Sequence, residues 1–203
     1  MLPVAVLVSG SGSNLQILLD AATTDPDFGA RIAVVISDRP GVRALDRAAQ
    51  ADVPAEVVLW SEFNDRESFS MALCDTAERY GAEALILAGF MRILSPAAID
   101  RYPNRIINVH PALLPAFPGA HAVPAALAHG VKVSGVTVHF VDDEVDHGPI
   151  IAQRAVPVQP DDTEETLHTR IQSEEHRLFP HVVKAFAAGR LRVEGRQVIW
   201  EEL

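Results

Sequence analysis

The chain has 203 residues, 17 Lys and Arg against 27 Asp and Glu, and a formal net charge of −10. That length suggests about one domain, and 48% hydrophobic with only 6% aromatic residues fits a globular core, not a disordered or collagen-like chain. One cysteine, Cys74, excludes an internal disulfide or cysteine-rich zinc site, no apolar run reaches the roughly 20 residues of a membrane helix, and the acidic balance argues against non-specific nucleic-acid binding.

The first residues, Met1 to Val8, lack a basic leader and run into a Gly/Ser loop, so they read as a strand and not a signal peptide. The expectation is a cytoplasmic protein. Pro3 to Val8 is the first strand, and Ser13-Asn14 supplies cap residues for a helix to about Ala22. Arg31 to Ile36 is a second strand, Val42 to Ala51 a helix, and Ala55 to Leu59 a short strand. Asp65 to Tyr80 has helical periodicity and stops at Gly81. Ala84 to Ala88 is a buried strand, Ser95-Pro96 opens a short helix, and Arg105 to His110 is a fifth strand. Near-continuous apolar strands alternating with helices predict a mostly parallel, doubly covered sheet. After His110 a proline-rich loop leads into a helix over His121 to His129. Val133 to Val141 and Pro149 to Val158 form two strands around an acidic turn, and Thr163 to Gly189 is a long helix. Arg190 to Val193 and Gln197 to Trp200 suggest a closing hairpin. The predicted fold is one α/β domain over 1–203, Rossmann-like in its first half, with antiparallel strands and a long helix in its second.

Five segments offer chemistry. In Ser9-Gly10-Ser11-Gly12-Ser13-Asn14 the glycines permit close backbone approach, and free N–H groups at a helix start favour an anion. The segment matches neither the dinucleotide fingerprint nor the Walker pattern, so a phosphate monoester and a plain serine-capped turn remain the two readings. In Asn108-Val109-His110-Pro111, positions i and i+2 of a strand place an amide beside an imidazole at the carboxyl end, where open sheets hold ligands. The pair suits carbonyl polarisation and proton handling, or else satisfies loop backbone. The run Asp142 to His147 is a solvated turn in its first three carboxylates and fails the EF-hand spacing, while Asp146 has the option of folding inward against His110. Glu175 falls on the apolar stripe Leu167, Ile171, Leu178, Val182 of the long helix, where a carboxylate needs a partner or an edge. Ala88 to Leu94 either edges an apolar pocket or packs in the core. His139 alternates with Val136, Val138 and Phe140 in a way that reads as a polar-face residue, the histidines show no metal spacing, and no metal is expected. Cys74 reads as packing, and no nucleophile elbow is present.

Together these segments resemble the folate-dependent formyltransferases. The resemblance rests on Val8 to Asn14, Ala88 to Pro96, Asn108-x-His110-Pro111-x-Leu113-Leu114-Pro115, Val138 to Val141, Asp146-x-Gly148-Pro149-Ile150-Ile151 and Glu175-His176. The phosphate loop and Glu175 narrow it to the glycinamide ribonucleotide branch. The chain departs from the family pattern at Ala112, Ala116, the run His121 to Pro124, and His147, where glycine is frequent.

The resemblance implies transfer of a formyl group from 10-formyltetrahydrofolate, the cosubstrate, to the amine of 5'-phosphoribosylglycinamide in purine biosynthesis. It implies Asn108, His110 and Asp146 as the catalytic trio. It implies Gly12, Ser13 and Asn14, with Gln172, Ser173, Glu174 and Glu175, as the ribonucleotide site. Arg66, Met91, Arg92, Ile93 and Leu94, with Asn108 and Asp142, Asp143, Glu144, Val145 and Asp146, would face the folate. The partners would be small molecules alone, with no nucleic acid or membrane, in a monomer or homodimer. The alternatives are a formyltetrahydrofolate hydrolase, a methionyl-tRNA formyltransferase (disfavoured by length and charge), a metallohydrolase, and a phosphoribosyl-ligand binding module without turnover.

Overall fold

The computed structural model describes residues 1–200, which form two compact units divided after Ile107. In the first unit, β1 (Leu2–Val8), α1 (Ser13–Thr24), β2 (Ala30–Ser37), α2 (Arg43–Gln50), β3 (Ala55–Val57), α3 (Arg66–Arg79), β4 (Ala84–Leu87) and α4 (Pro96–Arg101) alternate, and β5 (Ile106–His110) leads out of it. The strand order is β3-β2-β1-β4, and β1 runs parallel to both neighbours, with Val6 opposite Val35 and Ile86. Val6, Val35 and Ile86 are fully buried, as parallel strands covered on both faces require. This is the Rossmann-like α/β arrangement that the apolar runs predict.

Local chemistry sets most element ends. The Asp65 side chain accepts from the Ser68 N–H to cap α3, and Ser95 accepts from Ala98 N–H with Pro96 in the first turn of α4. The start of α1 differs from expectation. Neither Ser13 nor Asn14 is the cap: Gly12 holds that place at φ 69°, with no side-chain cap. A Cβ on Gly12 would lie 2.8 Å from the Ala44 Cβ, so the close approach of α2 demands glycine. The third strand also stops at Val57, because Trp60–Glu62 turns into a 3-10 helix.

The second unit contains α5 (Ala122–Ala128), β6 (Val133–Phe140), β7 (Ile150–Pro157), α6 (Glu164–Ala187), β8 (Leu191–Glu194) and β9 (Gln197–Trp200). The order is β6-β7-β9-β8. β6 and β7 are antiparallel, β8 and β9 form the expected hairpin, and β9 lies parallel to β7 with Gln197 beside Ile150. A capping box of Thr163 and Thr166 starts α6, whose buried face includes Leu167, Ile171, Glu175, Leu178 and Val182. No helix among the described residues is long and apolar enough to cross a membrane.

Candidate active site

Three predicted side chains converge in the second unit. Asn108 and His110 leave β5 two residues apart, and Asp146 comes from the loop joining β6 to β7. The Asp146 Oδ2 lies 3.3 Å from His110 Nδ1, and its Oδ1 accepts from Asn108 Nδ2 at 3.4 Å. Gly119 N–H donates to Oδ2 at 2.7 Å. His110 and Asp146 side chains are only 5% and 12% exposed. Burial pushes the Asp146 carboxyl up, but the Gly119 N–H donated to it and the His110 imidazole beside it outweigh that and hold the group below the usual carboxylate range. Asp146 also sits at φ 51°, a left-handed conformation that asparagine and aspartate tolerate better than other side chains but that still carries strain.

The hydrogen-bond partners fix which atoms carry protons. His110 Nε2 is 2.8 Å from the Phe117 carbonyl, which can only accept. Nε2 therefore bears a proton, and Nδ1, facing Asp146, is the nitrogen left to take or give one. The His139 Nδ1 likewise donates to the Phe140 carbonyl at 2.7 Å. His139 Nε2 is then free to accept from Asn108 Nδ2 at 3.2 Å. The two N–H bonds of Asn108 are thus directed at His139 and at Asp146, and the amide cannot be turned over without setting its oxygen against a carboxylate. His139 is 1% exposed and not the polar-face residue that alternation predicts, because β6 is buried on both faces from Ser134 to Phe140.

The acidic turn divides as expected except at Asp142, which bonds within the turn to the Glu144 N–H and His147. Asp143, Glu144 and Val145 are exposed, Asp142 is half-buried, and Asp146 folds inward. Gly148 follows at a point where a Cβ would lie 1.9 Å from the Phe140 carbonyl oxygen, so the turn closes only on glycine. On α6, four successive residues point in four directions. Glu175 is buried, Gln172 half-buried and Ser173 exposed. Glu174 pairs with Arg177 at 2.8 Å and lines a separate cavity of about 420 Å³ with Arg154, Leu178 and His181.

The remaining predicted residues lie in the first unit. Gly12, Ser13 and Asn14 open α1. The loop before them is braced by Arg47, whose Nε donates to the Ser11 carbonyl at 2.9 Å. That guanidinium beside a prospective phosphate loop has no local signal in the sequence. Met91 and Ile93 are 59% and 50% exposed while Ala88, Phe90 and Leu94 are buried, so the segment packs in the core at alternate places and leaves two apolar side chains on the surface. Two ties hold it: Met91 N–H donates to Ser9 Oγ at 2.8 Å, and Arg92 Nε donates to the buried Asp38 carboxylate at 2.7 Å. The Arg92 guanidinium also lies 5.3 Å from the Trp60 ring centroid. Arg66, the first residue of α3, is exposed. Among the described residues no group of three or more His, Cys, Asp or Glu is placed to hold a metal.

An amide, an imidazole and an ionised carboxylate around one point can polarise a carbonyl and carry a proton, the two operations that acyl-group transfer requires. Residues 2–183 match the model of the formyl transferase family, "Formyl transferase", and the chain belongs to that family. Within it, the chain is similar to phosphoribosylglycinamide formyltransferase of Escherichia coli (strain K12), 42% identical over 94% of this chain and 89% of that one. It is 42% identical to the trifunctional purine biosynthetic protein adenosine-3 of Bos taurus over 97% of its own length, but spans only 20% of that protein. Among solved structures, glycinamide ribonucleotide transformylase 1 from Symbiobacterium toebii matches with a TM-score of 0.97 and 48% identity, covering 100% of this chain and 95% of that one.

Proposed function

We propose that the chain acts as one formyltransferase domain in the cytoplasm, moving the formyl group of 10-formyltetrahydrofolate to the amine of 5'-phosphoribosylglycinamide. The observation that carries the mechanism is the Asp146 carboxylate held between His110 Nδ1 and Asn108 Nδ2. The substrate amine attacks the formyl carbon, and the carbonyl oxygen becomes an oxyanion. Asn108 turns its longer N–H bond, the one now on Asp146, toward that oxygen, and a proton on His110 Nδ1 is the second donor. These bonds strengthen as charge develops, so they lower the barrier and do not merely tighten binding. Asp146 holds the imidazole with Nδ1 toward the reacting carbon and accepts the amine proton, which passes to the departing folate nitrogen as the carbon–nitrogen bond breaks. The products are the formylated amine and tetrahydrofolate.

For the substrates, Gly12, Ser13 and Asn14 take the ribonucleotide phosphate, and Glu175 with its neighbours Gln172, Ser173 and Glu174 faces the ribonucleotide. Met91, Arg92, Ile93 and Leu94 edge the folate ring, as do residues 142–145, and Arg66 serves the same cosubstrate. The experiment is a folate absorbance assay with 10-formyltetrahydrofolate, with and without phosphoribosylglycinamide. Amine-dependent release of tetrahydrofolate is expected. Release without the amine would make the protein a hydrolase, and no release would make it a binding module.

A further inference from the structure

The turn that carries Asp146 is gripped from outside by the C-terminal hairpin. That hairpin is itself anchored: β9 pairs with β7 at Ile150, Trp200 Nε1–H donates to the Ile151 carbonyl at 2.9 Å, and the Trp200 ring stacks on His181 at 5.4 Å. At the hairpin's turn, Arg196 reaches back to His147. Its Nη2 donates to the His147 carbonyl at 2.6 Å, and its Nη1 lies 3.1 Å from His147 Nε2. His147 Nδ1 is 2.8 Å from the Asp142 Oδ2. A carboxylate only accepts, so Nδ1 carries the proton shared with Asp142, and Arg196 Nη1, 3.3 Å from Nδ1 as well as 3.1 Å from Nε2, packs against the ring without lying in line with either nitrogen. One guanidinium therefore holds the backbone directly after Asp146 and, through the imidazole, the residue that opens the turn. The other charged groups facing the imidazole are Glu144, 3.9 Å from Nδ1, and Arg196 itself. The hairpin lies beyond residue 183, where the match to the family model ends.

We infer that Arg196 is a positioning residue for Asp146: the Arg196–His147–Asp142 clamp holds the 142–146 turn so that Asp146 keeps the left-handed backbone that aims its carboxylate at His110. A left-handed non-glycine residue persists only where its surroundings over-determine it. Gly119 fixes the Asp146 side chain, and the clamp fixes the main chain on its far side. The inference takes its kinetic readout from the formyl-transfer reading.

The test compares Arg196→Ala and Arg196→Lys with the unaltered protein by amide hydrogen exchange and by steady-state kinetics with both substrates. Arg196→Ala should speed exchange across 142–148 and lower kcat about tenfold to a hundredfold, since small misplacements of a catalytic group cost on that scale. KM for the ribonucleotide and the melting temperature should change little. Arg196→Lys, which keeps a donor for the His147 carbonyl, should recover part of kcat. Unaltered exchange over 142–148 in Arg196→Ala, or an unaltered kcat, overturns the inference. So does a fall in melting temperature that accounts for all of the lost activity. If the unaltered protein transfers no formyl group, the reading of its function fails, and the exchange measurement still decides whether Arg196 holds the turn.

Discussion

Replacing Asp146 with asparagine removes one charge and keeps the shape. Asparagine tolerates the left-handed backbone at this position, and its side-chain oxygen can still accept from the Gly119 N–H, now at 2.7 Å. What is lost is the field on His110. At the observed 3.3 Å and an effective dielectric of about 20, a carboxylate and an imidazolium attract by about 5 kcal/mol. Only the part that grows toward the transition state affects kcat. Loss of a single oxyanion donor, the consequence of an uncharged His110, typically costs about 3–4 kcal/mol. That smaller figure sets the expectation: kcat should fall about 10² to 10³-fold at about 1.4 kcal/mol per decade. The assay is amine-dependent release of tetrahydrofolate, with circular dichroism and melting temperature confirming the fold. A folded Asp146→Asn protein with kcat within tenfold of the unaltered enzyme would refute the proton route through this residue.

The same substitution gives a pH signature. Because the folded-state value of Asp146 is depressed below 3.8, its contribution to stability is present above 3.8 and lost as pH falls through the lower folded-state value. The melting-temperature gap between the unaltered protein and Asp146→Asn should be constant near neutrality and shrink below 3.8, and a gap that widens there contradicts the assignment. Gly148→Ala forces a Cβ to within 1.9 Å of the Phe140 oxygen. It should destabilise the protein by about 3 kcal/mol or more, seen as a drop of about 6–12 °C in melting temperature. Cys74 is fully buried, and burial pushes its thiol up to about 11. Disulfide-exchange reagents should therefore label it only at the rate of unfolding, and rapid labelling of the native protein would contradict the packing.

Much of this arrangement is legible locally. Asp65, Ser95-Pro96 and Thr163 mark helix starts because a cap is a contact between residues two or three apart. The convergence of Asn108 and His110 follows from the two-residue period of a strand. Glu175 announces itself as an acid on an apolar stripe, and it is buried. The readings that failed concern residues whose state is decided by distant chain. Alternation made His139 a polar-face residue, yet both faces of β6 are covered. Serine and asparagine are good caps, yet Gly12 starts α1 because Ala44 crowds it. Apolar composition left Ala88 to Leu94 open between a pocket edge and core packing; Met91 and Ile93 are exposed, and Ser9 and Asp38 tie the backbone and the arginine between them.

The orientation of the site follows from two carbonyl groups that carry no sequence signal. The Phe140 oxygen takes the Nδ1 proton of His139, which makes Nε2 an acceptor and turns the Asn108 amide so that its nitrogen faces Asp146. The Phe117 oxygen takes the Nε2 proton of His110 and leaves Nδ1 directed at the same carboxylate. Phe117 itself sits at φ 56°, and its ring packs edge-on against His129 at 5.3 Å. A backbone carbonyl is available at every residue, so the side-chain pattern cannot announce which one will be used. The resemblance names the three side chains as a set, but their proton positions are set by where the chain places two main-chain carbonyls.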